Sequence, residues 1–224
     1  MANLIITIDG PAASGKSTAA RLLAAKLGAS FLDTGAMYRA VTLAAMQAGV
    51  DLADQAKLLG VLQNSRFEFE VQNDKTVVRL DGVDVTEQIR SPLVTANARH
   101  IASAPRVRAR LVEMQRRFAA SREKVVTEGR DQGTAAFPDA GIKFFLTAEL
   151  TERARRRYAE LAGEQDLDHV RRAVEERDKS DESRGVGPLR PADDAIVVDT
   201  TNLTIEQVVE KLLDCVKQKC LPKE

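Results

Sequence analysis

Apolar residues in this chain of 224 residues fall into short continuous runs separated by longer stretches of helical period. Runs at Leu4 to Asp9, Ser30 to Asp33, Lys124 to Glu128, Ile142 to Thr147 and Ala195 to Asp199 have the length of buried strands. After the first run, Ser17 to Leu27 places Ala20, Leu23, Ala24 and Leu27 on one stripe and stops at Gly28, a residue suited to a left-handed helix cap. A second helix is expected after Gly35, with Met37, Val41, Ala44 and Ala48 at helical spacing before Gly49. Pro105 suits the first turn of a third helix running toward Ser121, a charged helical pair is expected from Glu149 to Arg184, and a last helix spans about Thr204 to Lys217. Strands alternating with helices predict an α/β fold, a five-stranded parallel sheet flanked by helices.

One stretch departs from this rhythm. From Arg66 to Thr86 the apolar period becomes two, in Phe67 to Val71, Thr76 to Leu80 and Val83 to Val85, joined by Gln72-Asn73-Asp74-Lys75 and Asp81-Gly82. Short antiparallel strands with turn residues between them form a small β insert on the α/β core. The expected organisation is one domain over 1–224, with a core at about 1–62, 105–148 and 188–224, an insert at 63–104 and a helical lid at 149–187.

Composition narrows the class. Lys plus Arg and Asp plus Glu number 33 each, so the formal net charge is zero and nothing in the bulk charge favours nucleic acid or a membrane surface as partner. The two cysteines, Cys215 and Cys220, lack neighbours at zinc spacing and read as reduced thiols. The N-terminal run is too short for a secretion signal, and no apolar stretch approaches the roughly 20 residues of a membrane span. A cytoplasmic location is expected.

The chemistry starts at Gly10-Pro11-Ala12-Ala13-Ser14-Gly15-Lys16-Ser17, a complete G-x-x-x-x-G-K-[ST] loop followed by Thr18 and set between the first strand and the first helix. In that setting successive backbone N–H groups converge on the phosphates of a nucleoside triphosphate, Lys16 reaches the β- and γ-phosphates, and the Ser17 hydroxyl can ligate Mg²⁺. Arg39, in Asp33-Thr34-Gly35-Ala36-Met37-Tyr38-Arg39, follows the second strand, and Arg130, in Glu128-Gly129-Arg130-Asp131-Gln132-Gly133-Thr134, follows the third. Loops leaving the C-terminal edge of an open α/β sheet are where ligands bind, and a guanidinium grips a phosphate in two places. The helical pair from Glu149 to Arg184 carries Arg153, Arg155, Arg156 and Arg157, then Arg177, Asp181 and Arg184, with Glu152, Glu160, Glu164 and Asp166 interleaved. Part of it is a solvated face rich in i,i+4 pairs; its functional reading is a lid that closes over phosphates and expels water.

Together the phosphate loop, Asp-Thr-Gly-Ala-Met-Tyr-Arg, Glu-Gly-Arg-Asp-x-Gly-Thr, the lid arginines and the β insert resemble the bacterial cytidylate kinases, from Ile5 to about Val216. The resemblance implies a P-loop kinase moving the γ-phosphoryl of Mg-ATP onto CMP or dCMP, acting as a monomer. It implies catalytic roles for Lys16, Arg130, Arg177 and Arg184, with Arg39, Arg130, Arg177 and Arg184 around the transferred and acceptor phosphates. It further implies that Thr34 and Tyr38 line the CMP site, Arg108 and Asp131 read the cytosine edge, Asp181 meets the sugar, and Arg156 and Arg157 serve ATP. Two positions depart from the family pattern: Arg99 stands where a serine near the base is common, and Gln132 where an apolar residue is common.

Other classes fit less well. A GTP-driven switch needs Asn-Lys-x-Asp and D-x-x-G, and neither occurs. A kinase of another acceptor would share the core without this insert and Glu-Gly-Arg-Asp, and a nucleotide-binding module without catalysis would leave the second-substrate arginines without a purpose.

Overall fold

β1 (Leu4–Asp9) lies at the centre of a parallel sheet, paired on one side with β6 (Lys124–Gly129) and on the other with β7 (Ile142–Thr147). With β2 (Ser30–Asp33) and β8 (Ile196–Asp199) at the edges the order is β2-β6-β1-β7-β8. The coordinates are a computed structural model that describes residues 4–72, 75–161 and 166–220. The chain divides into two compact units, the first made of residues 1–31 and 122–224 and the second of 32–121.

In the first unit Ile6, Ile8, Val126, Ile142, Phe144, Leu146 and Val198 of the sheet pack with Ala20 and Leu23 of α1 (Lys16–Leu27) and with Val208, Val209 and Leu212 of α8 (Ile205–Cys220). A strand buried on both faces reads as a continuous apolar run, which is why β1 and β7 have the bounds expected from sequence. Gly28 caps α1 at φ 59°, its N–H donating back toward the last turn. The charged stretch forms α6 (Leu150–Glu160) and α7 (Leu167–Glu182). The interleaved Glu164 lies outside the described residues.

The second unit holds α2 (Thr34–Gln47), α3 (Gln55–Asn64), α4 (Pro92–Ser103) and α5 (Pro105–Ala120), with the antiparallel insert β3 (Phe67–Gln72), β4 (Lys75–Leu80) and β5 (Val83–Asp84). Val78, Leu80, Val85 and Ile89 bury the insert against Ala36, Ala40 and Ala44 of α2. Asn73 and Asp74 of the expected hairpin turn lie outside the described residues. The second helix starts one residue before Gly35, because the Asp33 carboxylate accepts from the Ala36 N–H at 2.8 Å and caps the first turn. Among the described residues no helix is long and apolar enough to cross a membrane.

Candidate active site

The phosphate loop is shaped by its neighbours. A Cβ on Gly10 would lie 2.1 Å from the Leu146 carbonyl oxygen of the adjoining strand, so only glycine fits there. Ala13, at φ 57°, carries a left-handed backbone that costs an L-residue about 1–2 kcal/mol. Gly15 forms the N-cap of α1 at φ 83°, and no side chain bonds to that cap and no acidic residue sits in the first turn. The positive end of the helix therefore has no capping side chain and no acid of its own first turn, and Ser17 and Thr18 in that turn are exposed.

Lys16 sits inside this loop, 6% exposed, with Nζ donating to the Pro11 carbonyl at 3.1 Å. Burial, then the nearby Arg130 guanidinium, pushes its pKa down to about 7 against the counter-pull of Glu128. Close to it is a hub: the buried Asp181 carboxylate accepts from Arg130 Nε at 2.6 Å and pairs with Arg184. Burial acts to raise the Asp181 pKa, but Arg130 and Arg184 outweigh it and hold the carboxyl below its usual range. Arg177, one turn earlier on α7, contributes to the field on both Lys16 and Asp181. The first unit thus brings Lys16, Arg130, Arg177, Asp181 and Arg184 together beside the loop. Concentrated cations at the mouth of an anion cradle suit a group that carries several negative charges.

Asp9 ends β1, and its two carboxylate oxygens accept from the N–H groups of Gln132 and Gly133, each at 2.8 Å. These bonds fix a single π turn, Gln132–Ala136, immediately after Arg130 and the buried Asp131. Burial drives the Asp9 pKa up to about 6, with the bonds from Gly133 and Gln132 opposing the rise. Gln132 is itself buried, and its side-chain oxygen accepts from Thr127 Oγ1 at 3.0 Å, which accounts for a polar residue at that position.

The lid arginines separate. Arg156 bridges toward the β8–α8 turn, its Nη2 donating to the Thr200 carbonyl at 2.6 Å and its Nη1 to Thr200 Oγ1 at 3.0 Å, and a Cβ on Gly15 would lie 3.9 Å from that Nη1. Arg157 instead pairs with Glu160 at 2.9 Å on a solvated face. Thr200 Oγ1 also lies 3.2 Å from the Ser14 carbonyl, so the turn supports the loop directly.

In the second unit Arg108 is 3% exposed, its Nη1 donating to the Tyr38 hydroxyl at 3.0 Å and its guanidinium 5.8 Å from the Tyr38 ring centre. Arg39 lies 3.7 Å from the Asp33 carboxylate, which Arg90 also approaches at 4.0 Å, and Thr34 is buried at the start of α2. Arg99 stands apart on α4, where with His100, Ser103 and Gln55 it borders a shallow cavity of about 260 Å³.

Sequence reading missed Arg153 and Asp178 as residues touching the loop, and it missed Asp9 and Thr200 altogether. Asp178 accepts from the Ala12 N–H at 2.9 Å, and Arg153 donates to the Ala12 carbonyl at 3.1 Å. The one local signal was a carboxylate directly before a phosphate loop, at Asp9.

The family model described as Cytidylate kinase matches residues 6–218. A cytidylate kinase of Pelotomaculum thermopropionicum is 49% identical over 93% of this chain and 93% of its own, and one of Rhodopirellula baltica is 46% identical over 96% and 93%. Among solved structures, TT1252 from Thermus thermophilus superposes with a TM-score of 0.51 at 22% identity over 99% of this chain and 100% of that one, a likeness of fold. With a phosphate loop, an arginine hub beside it and a family match across nearly the whole sequence, this chain belongs to the cytidylate kinase family.

Proposed function

We propose that this protein transfers the γ-phosphoryl group of Mg-ATP to CMP or dCMP. An oxygen of the acceptor 5′-phosphate forms a bond to the γ-phosphorus while the bond from that phosphorus to the β,γ-bridging oxygen breaks. The electron pair leaves on ADP, and the product is CDP or dCDP. The transition state is loose, so the protein's contribution is alignment and neutralisation of charge rather than covalent chemistry.

The observation that carries this reading is the buried Lys16 in the same unit as the Arg130–Asp181–Arg184 hub. We assign Gly10 to Thr18 to the donor phosphates, Ser17 to the Mg²⁺ that arrives with ATP, and Arg156 and Arg157 to the ATP side. The exposure of Ser17 supports its assignment, and the place of the Arg156 guanidinium beside Gly15 supports that of Arg156. Lys16, Arg130, Arg177 and Arg184 meet the charge on the transferred group. On the second unit Thr34, Tyr38, Arg39 and Arg108 take CMP, and on the first Arg130, Asp131, Arg177, Asp181 and Arg184 do. Cytosine presents an N4 amine beside an N3 acceptor, so Asp131 accepts from N4 and Arg108 donates toward N3 or O2. Uracil reverses both groups and is refused by mismatch rather than by size. We assign the protein to the cytoplasm as a monomer acting on small molecules.

A panel of nucleoside monophosphates with Mg-ATP tests this, with diphosphate product read for each. CMP and dCMP should turn over and UMP far more slowly; failure of both cytidine nucleotides while another monophosphate is phosphorylated would contradict the proposal.

A further inference from the structure

The charged pair Arg153 and Asp178 has no part in the chemistry above, yet it is spent on one residue of the phosphate loop. Both residues are buried, 8% and 7% exposed, and their side chains pair with each other. Asp178 comes from α7 and takes the Ala12 N–H; Arg153 comes from α6 and reaches the Ala12 carbonyl, while its Nε donates to the Ala148 carbonyl at 2.9 Å. Both backbone groups of Ala12 are therefore held by side chains of two different helices. Val170 and Val174 of α7 pack on the Ala12 methyl, with Leu150, Tyr158 and Leu161 around them.

Residues 170, 174, 178 and 181 follow one another on a single stripe of α7, and the first three face Ala12 while Asp181 holds Arg130 and Arg184. The clamp and the hub are thus three residues apart on one rigid helix, about 4.5 Å along its axis. Apolar packing alone would let such a helix shift along its own axis with little penalty. Directed hydrogen bonds to a fixed N–H and a fixed carbonyl do not.

We infer that Arg153 and Asp178 are positioning residues that fix α7 in register on the phosphate loop, and thereby set where Arg177, Asp181 and Arg184 stand relative to the transferred phosphoryl group. The inference rests on the reading that these last residues serve that group. A buried ion pair contributes little net stability over apolar residues of the same volume, so its consequence is geometric. Misplacement of catalytic groups by about 1 Å costs up to roughly 100-fold in rate.

The test uses the full chain. Arg153→Met/Asp178→Leu removes both charges and both bonds to Ala12 together and leaves no lone buried ion, so the fold survives where either single change would strand a charge. Folded state and thermal midpoint are followed by circular dichroism, and kcat and both KM values are measured alone and with Arg184→Ala added. The paired variant should lose ~10- to 100-fold in kcat with KM for CMP nearly unchanged, and Arg184→Ala should cost it far less than it costs the native enzyme. Native kcat in the folded paired variant, or a loss that multiplies in full with that of Arg184→Ala, overturns the inference. Arg153→Lys keeps the charges balanced but removes the fork to Ala12 and Ala148, and it should also lower kcat, by roughly 3- to 10-fold; native kcat there contradicts the clamp independently. A native kcat for Arg184→Ala alone would overturn the catalytic reading and the inference together, whereas a large Arg184 effect beside a silent pair overturns the inference only.

Discussion

The helices α6 and α7 carry charge on two faces that look alike in sequence and differ in surroundings. On the outer face Arg155 pairs with Glu152 at 3.0 Å and Lys179 with Glu175 at 2.8 Å, with the basic side chains 76% and 70% exposed. Toward the phosphate loop, Arg153 pairs with Asp178, and Asp181 joins Arg184 and Arg130, all largely withdrawn from water. The outer pairs and Asp181–Arg184 share a spacing of three or four residues, whereas Arg153 and Asp178 are 25 residues apart and Arg130 and Asp181 are 51 apart. Outer pairs are screened by solvent and exchange partners freely, so they add little. Inner ones act at low dielectric, where each charge must be matched and each match fixes an atom in place. What separates a solvated charge from a working one is the face it occupies, and that is decided by residues far away in the chain.

The largest expected effect lies at the inner extreme. Lys16→Ala should lower kcat by ~1,000-fold or more, because it removes a cation from the position where charge moves during transfer. The folded state should persist, since burying the ammonium is unfavourable to begin with, and circular dichroism with steady-state assays reads both. Native turnover in the folded variant would break the contrast at its strongest point.

Asp131 sharpens the contrast through specificity. Asp131→Asn can turn an amide donor toward the base, and the ratio of kcat/KM for UMP to that for CMP should rise by roughly 10- to 100-fold. Equal losses for both nucleotides would leave Asp131 as a support for the Arg130 loop.

Titration gives a smaller signal. Lys16, with a pKa near 7 in place of 10.5, is mostly neutral at pH 8, and a bound polyphosphate returns it to the charged form. Binding of ATP at that pH should take up a proton, seen as a dependence of binding enthalpy on buffer ionisation enthalpy. The sign for folding follows: between about 7 and 10.5 the unfolded chain binds the extra proton, so this residue makes stability rise with pH across that window. No buffer dependence would mean that Lys16 is charged before ATP arrives. At the small end, Glu175→Gln should leave both kcat and thermal midpoint unchanged within error, and a clear loss of either would give the outer face a role it lacks here.

How much of this was legible varies with the range of the interaction. β1, β2 and β7 were readable to the residue because buried strands are continuous apolar runs with turn residues at their ends. Helices α3 and α4 were not read, although each carries a local start signal: Asp54 accepts from the Ala56 and Lys57 N–H groups, and Ser91 accepts from Val94 ahead of Pro92. The phosphate loop and the two arginine motifs were visible as spacing. Asp178 was not, because it bonds to backbone 166 residues away, and for Asp9 only its place directly before the loop was visible, not its backbone partner 124 residues on. For the same reason Arg156 and Arg157 looked equivalent, and only packing sends one toward Gly15 and the other to Glu160.

The measurement that bears most directly on the difference between the two faces is kcat at saturating Mg-ATP and CMP for Arg184→Ala and Arg155→Ala, two arginines of one charged stretch each paired three residues away with an acid. Arg184→Ala should lose ~100-fold with a lesser change in KM for CMP, and Arg155→Ala should stay within about twofold of native. Equal effects in the two variants, or a change in Arg184→Ala confined to KM, would contradict the assignment of catalysis to the face that meets the phosphate loop.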